Sequence, residues 1–176
     1  MKRILLFVAI GILAMQSCTI NEGTPGRDGL DGQNGQDSII SEVFELKNIS
    51  FTNSGNGYKI YQTLNPKIFA SDVILIYRLS ETINNTTPIW QPIPRTLFLI
   101  QGELDYDFDF SKQDFTIYAG GTYNLSLTPT YINNQTFRIV IVPGAFSNKS
   151  ANLTQMSYED VIAKYKIKDA VVTQLN

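Results

Sequence analysis

The sequence predicts a mainly β protein: an antiparallel β-sandwich with one short C-terminal helix, behind a signal peptide and a disordered Gly-x-y leader. Three observations predict it. From residue 38 onward, apolar or alternating runs of strand length recur at short intervals. Gly, Pro and Asn punctuate them as turn residues, the pattern of a sandwich or barrel. Helical spacing behind a capping signal occurs near the C-terminus alone.

Ser38 to Leu46 opens the domain with β-branched and apolar residues. Ser54-Gly55-Asn56-Gly57 is a turn signal, and Tyr58 to Leu64 follows as a strand that Asn65-Pro66 ends. Val73 to Tyr77 is a continuous apolar run, as expected of a central strand buried on both faces. Ser80 to Pro88 reads as a polar loop. Pro92 and Pro94 make Trp90 to Pro94 an edge or irregular piece.

Thr96 to Ile100 is a further apolar strand, turned by Gln101-Gly102. Glu103 to Phe110 then alternates throughout. Leu104, Tyr106, Phe108 and Phe110 share one face, and Glu103, Asp105, Asp107 and Asp109 share the other. Phe115 to Ala119 is a short strand ended by Gly120-Gly121, and Tyr123 to Thr128 alternates again. Asn133-Asn134 turns the chain into Phe137 to Val142, a second apolar run closed by Pro143-Gly144. Ser157-Tyr158-Glu159-Asp160 has the form of a capping box. Tyr158, Val161, Ile162 and Tyr165 follow at helical spacing, with Lys164 and Lys166 at the end that the helix dipole favours for cations.

Ahead of this domain the chain is different. Met1-Lys2-Arg3 is a short basic start, and Ile4 to Ala14 is an 11-residue apolar run. A membrane-crossing helix needs roughly 20 such residues. The run therefore fits the hydrophobic region of a secretory signal. Ala14-Met15-Gln16-Ser17-Cys18 completes it, with a small residue before a cysteine. This resembles the lipobox of bacterial lipoproteins, with Met15 where leucine is more usual. The resemblance implies removal of residues 1–17, a diacylglycerol thioether on Cys18, and acylation of the new amino terminus by a palmitate-class chain. One acyl chain holds a protein only marginally, at about 0.8 kcal/mol per buried CH₂, whereas two or more anchor it. The implied partner is membrane lipid, and the implied place is the cell envelope. The expected site is the outer membrane, on its periplasmic or its outer face.

Residues 18–37 form the expected linker and 38–176 the β domain. Glycine recurs every third residue at Gly23, Gly26, Gly29, Gly32 and Gly35. Collagen needs that period because only Gly fits at the triple-helix axis. The segment resembles the short collagen-like stretches of bacterial surface proteins. Two readings follow: a trimerising stub, or a spacer reaching roughly 45 Å at about 3 Å per residue. With Pro25 alone and five triplets, little offsets an ordering cost of about 1–2 kcal/mol per residue, which favours the spacer. Asp28, Asp31, Asn34 and Asp37 do not match a calcium loop. Asp37-Ser38-Ile39 resembles an O-glycosylation acceptor of one group of Gram-negative bacteria, which makes Ser38 a candidate modification site. From residue 38 on, the strand order, Trp90-Gln91-Pro92-Ile93-Pro94, the acidic strand and the FRIVIVPG segment are similar to uncharacterised domains behind collagen-like leaders in other bacterial lipoproteins. No activity comes with that similarity.

Composition narrows the chemistry. Two of the 14 basic residues, Lys2 and Arg3, leave with the signal, so 12 remain against 16 acidic ones, a net charge of −4. That is the wrong sign for nucleic acid. The chain has no histidine and a single cysteine, Cys18. Ser-His-Asp and Cys-His catalysis need an imidazole, and zinc sites use His or Cys. No metal and no cofactor is expected. The sharpest local feature is the row Glu103, Asp105, Asp107 and Asp109. Its same-face spacing of about 6.6–6.8 Å lies between the carboxylate separations of retaining and inverting glycosidases. Every acidic alternating strand produces that spacing. One extended strand also cannot supply the 6–8 oxygens calcium takes. The row reads first as a solvated face that discourages edge pairing, then as a ligand or cation face, last as a catalytic pair. Trp90, with Tyr77, Tyr106 and Tyr123, reads as core before it reads as a sugar-binding face. The expectation is a non-catalytic binding or structural module with a protein or glycan partner. A carboxylate-based glycan-active enzyme and a collagen-stub trimer are the alternatives.

Overall fold

A computed structural model of the chain describes residues 42–55, 57–144, 153–167 and 172–175. The signal segment, Cys18, the glycine-periodic leader and Ser38 lie outside the described residues. Those described belong to a unit spanning Asp37–Asn176.

The expected sandwich is there. Ten strands form two five-stranded sheets. Sheet A holds β1 (Glu42–Ile49), β4 (Val73–Ile83), β5 (Thr87–Ile93), β9 (Gln135–Val142) and β10 (Thr173–Gln174). Their spatial order is β10-β1-β9-β4-β5. Sheet B holds β2 (Thr52–Asn53), β3 (Tyr58–Thr63), β6 (Arg95–Leu99), β7 (Gly102–Phe110) and β8 (Asp114–Gly121), ordered β2-β3-β8-β7-β6. Pairing is antiparallel except at β1 and β10, where Phe44 faces Thr173 in a parallel register. Among the described residues, an α-helix of eight residues, α1 (Tyr158–Tyr165), follows the last long strand.

Strand alternation explains how sheet A is covered twice. Leu46, Ile74, Ile76, Ile93, Phe137, Ile139 and Ile141 face sheet B, where they meet Ile60, Leu104, Tyr106, Phe115 and Ile117. Val43, Leu75, Tyr77, Trp90, Val140 and Val142 face the other way, onto Tyr158 and Val161 of α1. The molecule is thus layered as sheet B, sheet A, then helix. This is why Val73 to Tyr77 and Phe137 to Val142 read as unbroken apolar runs: both of their faces are dry. Each such side chain contributes about 1.5–3 kcal/mol when taken from water.

α1 docks through aromatic contacts. Tyr158 packs edge-on against Tyr77 at 5.4 Å and tilted against Trp90 at 5.9 Å. The Arg138 guanidinium lies over the Trp90 ring at 4.4 Å and the Tyr158 ring at 4.9 Å, and its Nε meets Glu45 Oε2 at 3.2 Å. The helix starts where its cap says: Ser157 Oγ accepts from the Asp160 N–H at 3.1 Å. It stops at Lys166, which takes a left-handed conformation (φ 52) and returns its N–H to the last turn.

Two readings of the sequence need correcting. Ser80 to Pro88 is not a loop. β4 runs on to Ile83, and Asn84 and Asn85, both at positive φ, turn it directly into β5. The polarity there marks a hairpin tip projecting beyond the core, not an absence of strand. Tyr123 to Thr128 alternates but is not a strand. It forms a 3₁₀ turn at Leu125–Leu127, capped by Asn124 Oδ1 accepting from the Ser126 N–H at 3.0 Å. A second, with Pro129 at its start, covers Pro129–Tyr131. Local side-chain bonding of this kind competes with strand pairing. The turns lie over the end of sheet B. Gly121 makes the close approach possible, because a Cβ there would overlap the Glu103 carbonyl oxygen.

Candidate functional site

The face of sheet B that points away from sheet A is the candidate site. Its construction follows from register. Asp107 of β7 lies opposite Tyr118 of β8, which lies opposite Lys59 of β3. In the next row Asp109 faces Thr116, and Thr116 faces Tyr61. On the other side Asp105 faces Gly120 of β8 and Thr96 of β6, while Glu103 faces Phe98. The side chains of these opposed residues share one face, so acids, hydroxyls and aromatic rings alternate across it.

The four sequence-predicted acids therefore do share one solvent-facing surface. Glu103, Asp107 and Asp109 are exposed and Asp105 is half-buried, while Leu104 and Tyr106 between them point into the core. The strand is not an edge. β7 sits between β8 and β6, so, contrary to the expectation from its sequence, its charges are not there to block edge pairing.

Hydrogen bonds hold the face in place. Thr96 Oγ1 donates to Asp105 Oδ1 at 2.5 Å, and the Tyr118 hydroxyl donates to Asp109 Oδ2 at 2.9 Å. Asp107 Oδ1 accepts from the Phe108 N–H at 2.8 Å. The Tyr61 hydroxyl donates to Asp114 Oδ2 at 3.0 Å. These bonds raise both phenol pKa values: the hydrogen bond to Asp114 dominates for Tyr61, and the one to Asp109 for Tyr118. The hydroxyls accordingly stay protonated and donating. Among the described residues, no three His, Cys, Asp or Glu side chains gather closely enough to hold a metal ion.

Two of the rings were missing from the sequence reading. Tyr61 is 57% exposed and Tyr118 39%, on the same side as the acids. Their signal was available: Tyr61 follows buried Ile60, and Tyr118 stands between buried Ile117 and Ala119. What could not be read was which strand lies beside which. The aromatic set that the sequence offered instead does not assemble. Trp90 is 8% exposed and, with Tyr77, faces α1, whereas Tyr106 faces the inter-sheet core. Trp90 is core, as expected. Among the described residues, a concavity of about 410 Å³ is lined by Pro129, Thr130, Asn133, Asn134 and Gln135, none of them ionisable.

No protein-family model matches the chain, no curated protein matches it, and no solved structure matches it.

Proposed function

We propose that this chain is a lipid-anchored protein of the bacterial envelope, held through Cys18, whose β domain binds a glycan without cleaving it. The observation that supports the binding half is the outer face of sheet B. Exposed rings at Tyr61 and Tyr118 offer apolar faces on which sugar C–H groups stack. Glu103, Asp105, Asp107 and Asp109 offer oxygens that accept from sugar hydroxyls. Three adjacent hydrogen-bonded strands, β3, β8 and β7, carry both sets, so little ordering cost is left to binding. A flat, solvated face has no walls to exclude water from a reacting bond, which favours binding over catalysis. The anchor half rests on the lipobox-like residues Ala14 to Cys18.

A panel of immobilised envelope and host glycans, probed with the chain and with Tyr118→Ala, Asp107→Asn and Glu103→Gln, tests the reading. The expected result is retention on at least one glycan, weakened about tenfold or more in Tyr118→Ala with folding intact. No retention across the panel, or equal retention by all variants, defeats it. Cleavage of a glycan that is lost in the Glu103→Gln, Asp107→Asn double variant would replace binding with catalysis.

A further inference from the structure

Among the described residues, the two sheets leave four edges, and three of them are closed to pairing. β2 and β10 are two residues long. β5 carries Pro88 and Pro92, which have no N–H to offer an incoming strand. β6 is different. It has five residues, Arg-Thr-Leu-Phe-Leu, with no proline, lysine or acid. It pairs with β7 from Arg95 to Leu99 without a register break. Natural proteins normally blunt such an edge with charge, proline, a bulge or shortness.

The main-chain groups of β6 that face outward can be identified. The Glu103 N–H donates to Thr122 Oγ1 at 2.9 Å, and the Glu103 carbonyl accepts from the Thr122 N–H at 3.0 Å. Both groups of Glu103 thus turn toward the β8 side. Opposed residues in an antiparallel pair exchange both bonds or neither. Phe98 is opposite Glu103, so its N–H and carbonyl point away from β7. By alternation those of Thr96, opposite Asp105, do the same. The Phe98 side chain is 79% exposed, and Ile100 just beyond it is fully exposed.

We propose that β6 is a self-pairing edge: two copies of this chain join through antiparallel β6 strands, with a two-fold axis at Leu97. The register follows from the geometry. Outward-facing residues must meet outward-facing residues, so Thr96 and Phe98 pair with each other or with themselves. Centring on Leu97 pairs every residue of Arg95–Leu99, whereas centring on Phe98 runs into the turn at Ile100 and centring on Thr96 sets Phe98 against Pro94. In the chosen register Thr96 and Phe98 of each copy exchange two N–H to carbonyl bonds across the axis, twice over. Leu97 meets its own copy, and each Arg95 meets the partner's Leu99, so no like charges face each other. This self-complementarity points to a second copy as the occupant, and closed two-fold dimers are the commonest assembly. Both glycan faces would then lie on one continuous sheet of ten strands.

A disulfide reads the register. Leu97 residues across the axis form a non-hydrogen-bonded pair with Cα atoms about 4.5 Å apart, within the range a disulfide spans. Arg95 residues of the two copies lie roughly 14 Å apart, beyond it. The full chain, extracted in mild detergent, carries Leu97→Cys or Arg95→Cys and is oxidised gently. The expected result is a covalent dimer for Leu97→Cys alone, mapped by mass spectrometry to a bond between the two copies of position 97. Adding Phe98→Pro removes an outward N–H that β7 does not use, and should abolish the dimer while circular dichroism is unchanged. The proposal is overturned by a Leu97→Cys chain that stays monomeric, by equal cross-linking in Arg95→Cys, or by a cross-link that survives Phe98→Pro in a folded chain.

Discussion

Tyr106 shows how one residue joins the two sheets energetically. Its ring packs against Phe137 and Phe51, its hydroxyl donates to the Tyr131 carbonyl at 2.6 Å, and the buried Arg78 guanidinium lies 4.9 Å from its centroid. Arg78 Nε in turn donates to Gln135 Oε1 at 2.8 Å, so the buried charge is held by a side-chain oxygen and two tyrosine rings. Burial pushes the Tyr106 phenol up to about 12, partly offset by Arg78. A pKa raised on folding means that the neutral phenol's contribution is complete below pH 10. It is lost as pH rises from 10 through 12. Unfolding free energies from denaturant titrations across that window should fall for the wild-type chain by up to about 3 kcal/mol more than for Tyr106→Phe, which cannot ionise. Identical pH profiles for the two chains would refute the linkage. Tyr77 is shifted in the same direction by burial, and its hydroxyl donates to the Met156 carbonyl at 3.2 Å. Trp90 Nε1, by contrast, is buried and has no hydrogen-bond partner among the described residues, where packing and the Arg138 guanidinium hold its indole.

At the scale of the element, α1 decides whether sheet A has a second dry face. Eight residues are too few to hold a helix in water, so its stability comes from the sheet beneath and from its cap. The Ser157 hydroxyl satisfies the Asp160 N–H, and Glu159 and Asp160 sit at the positive end of the dipole. Ser157→Ala should cost about 1 kcal/mol in urea unfolding. Trp90, the one tryptophan of the chain, lies under α1 and supplies the fluorescence readout. A midpoint unchanged by Ser157→Ala would show that the cap is idle. The helix was legible in advance because cap, apolar spacing and terminal lysines agree locally. The 3₁₀ turns were not. Tyr123 to Thr128 alternates as a strand does, but it pairs with none of the described strands, and pairing is a property of neighbours rather than of the segment.

For the whole molecule, the proposed lipid and the folded domain are separable. Three acyl chains on Cys18 would anchor any cargo, since each buried CH₂ contributes about 0.8 kcal/mol. Cells fed a labelled palmitate analogue should label the wild-type chain in the membrane fraction. Cys18→Ala should give an unlabelled chain that leaves that fraction and keeps the unfolding midpoint of the domain. Label that persists in Cys18→Ala would place the modification elsewhere. Among the described residues, no helix is long and apolar enough to cross a membrane.

The sequence by itself determined most of the elements, though not the β4–β5 hairpin or the 3₁₀ turns. Period-two alternation on β7, double-faced apolar runs on β4 and β9, prolines on β5 and a capped helix are each written in a stretch of about ten residues. Local chemistry suffices to read them. It also determined that Glu103, Asp105, Asp107 and Asp109 would share a face, because alternation alone requires it. Only the tertiary structure decided which strands are neighbours. That placed β7 inside its sheet rather than at an edge, set Tyr61 and Tyr118 beside the acids, and left β6 as the open edge. The reason is that strand pairing joins residues far apart in the chain, such as Tyr61 with Thr116 and Arg138 with Glu45. No local pattern encodes a partner chosen by the packing of the whole core.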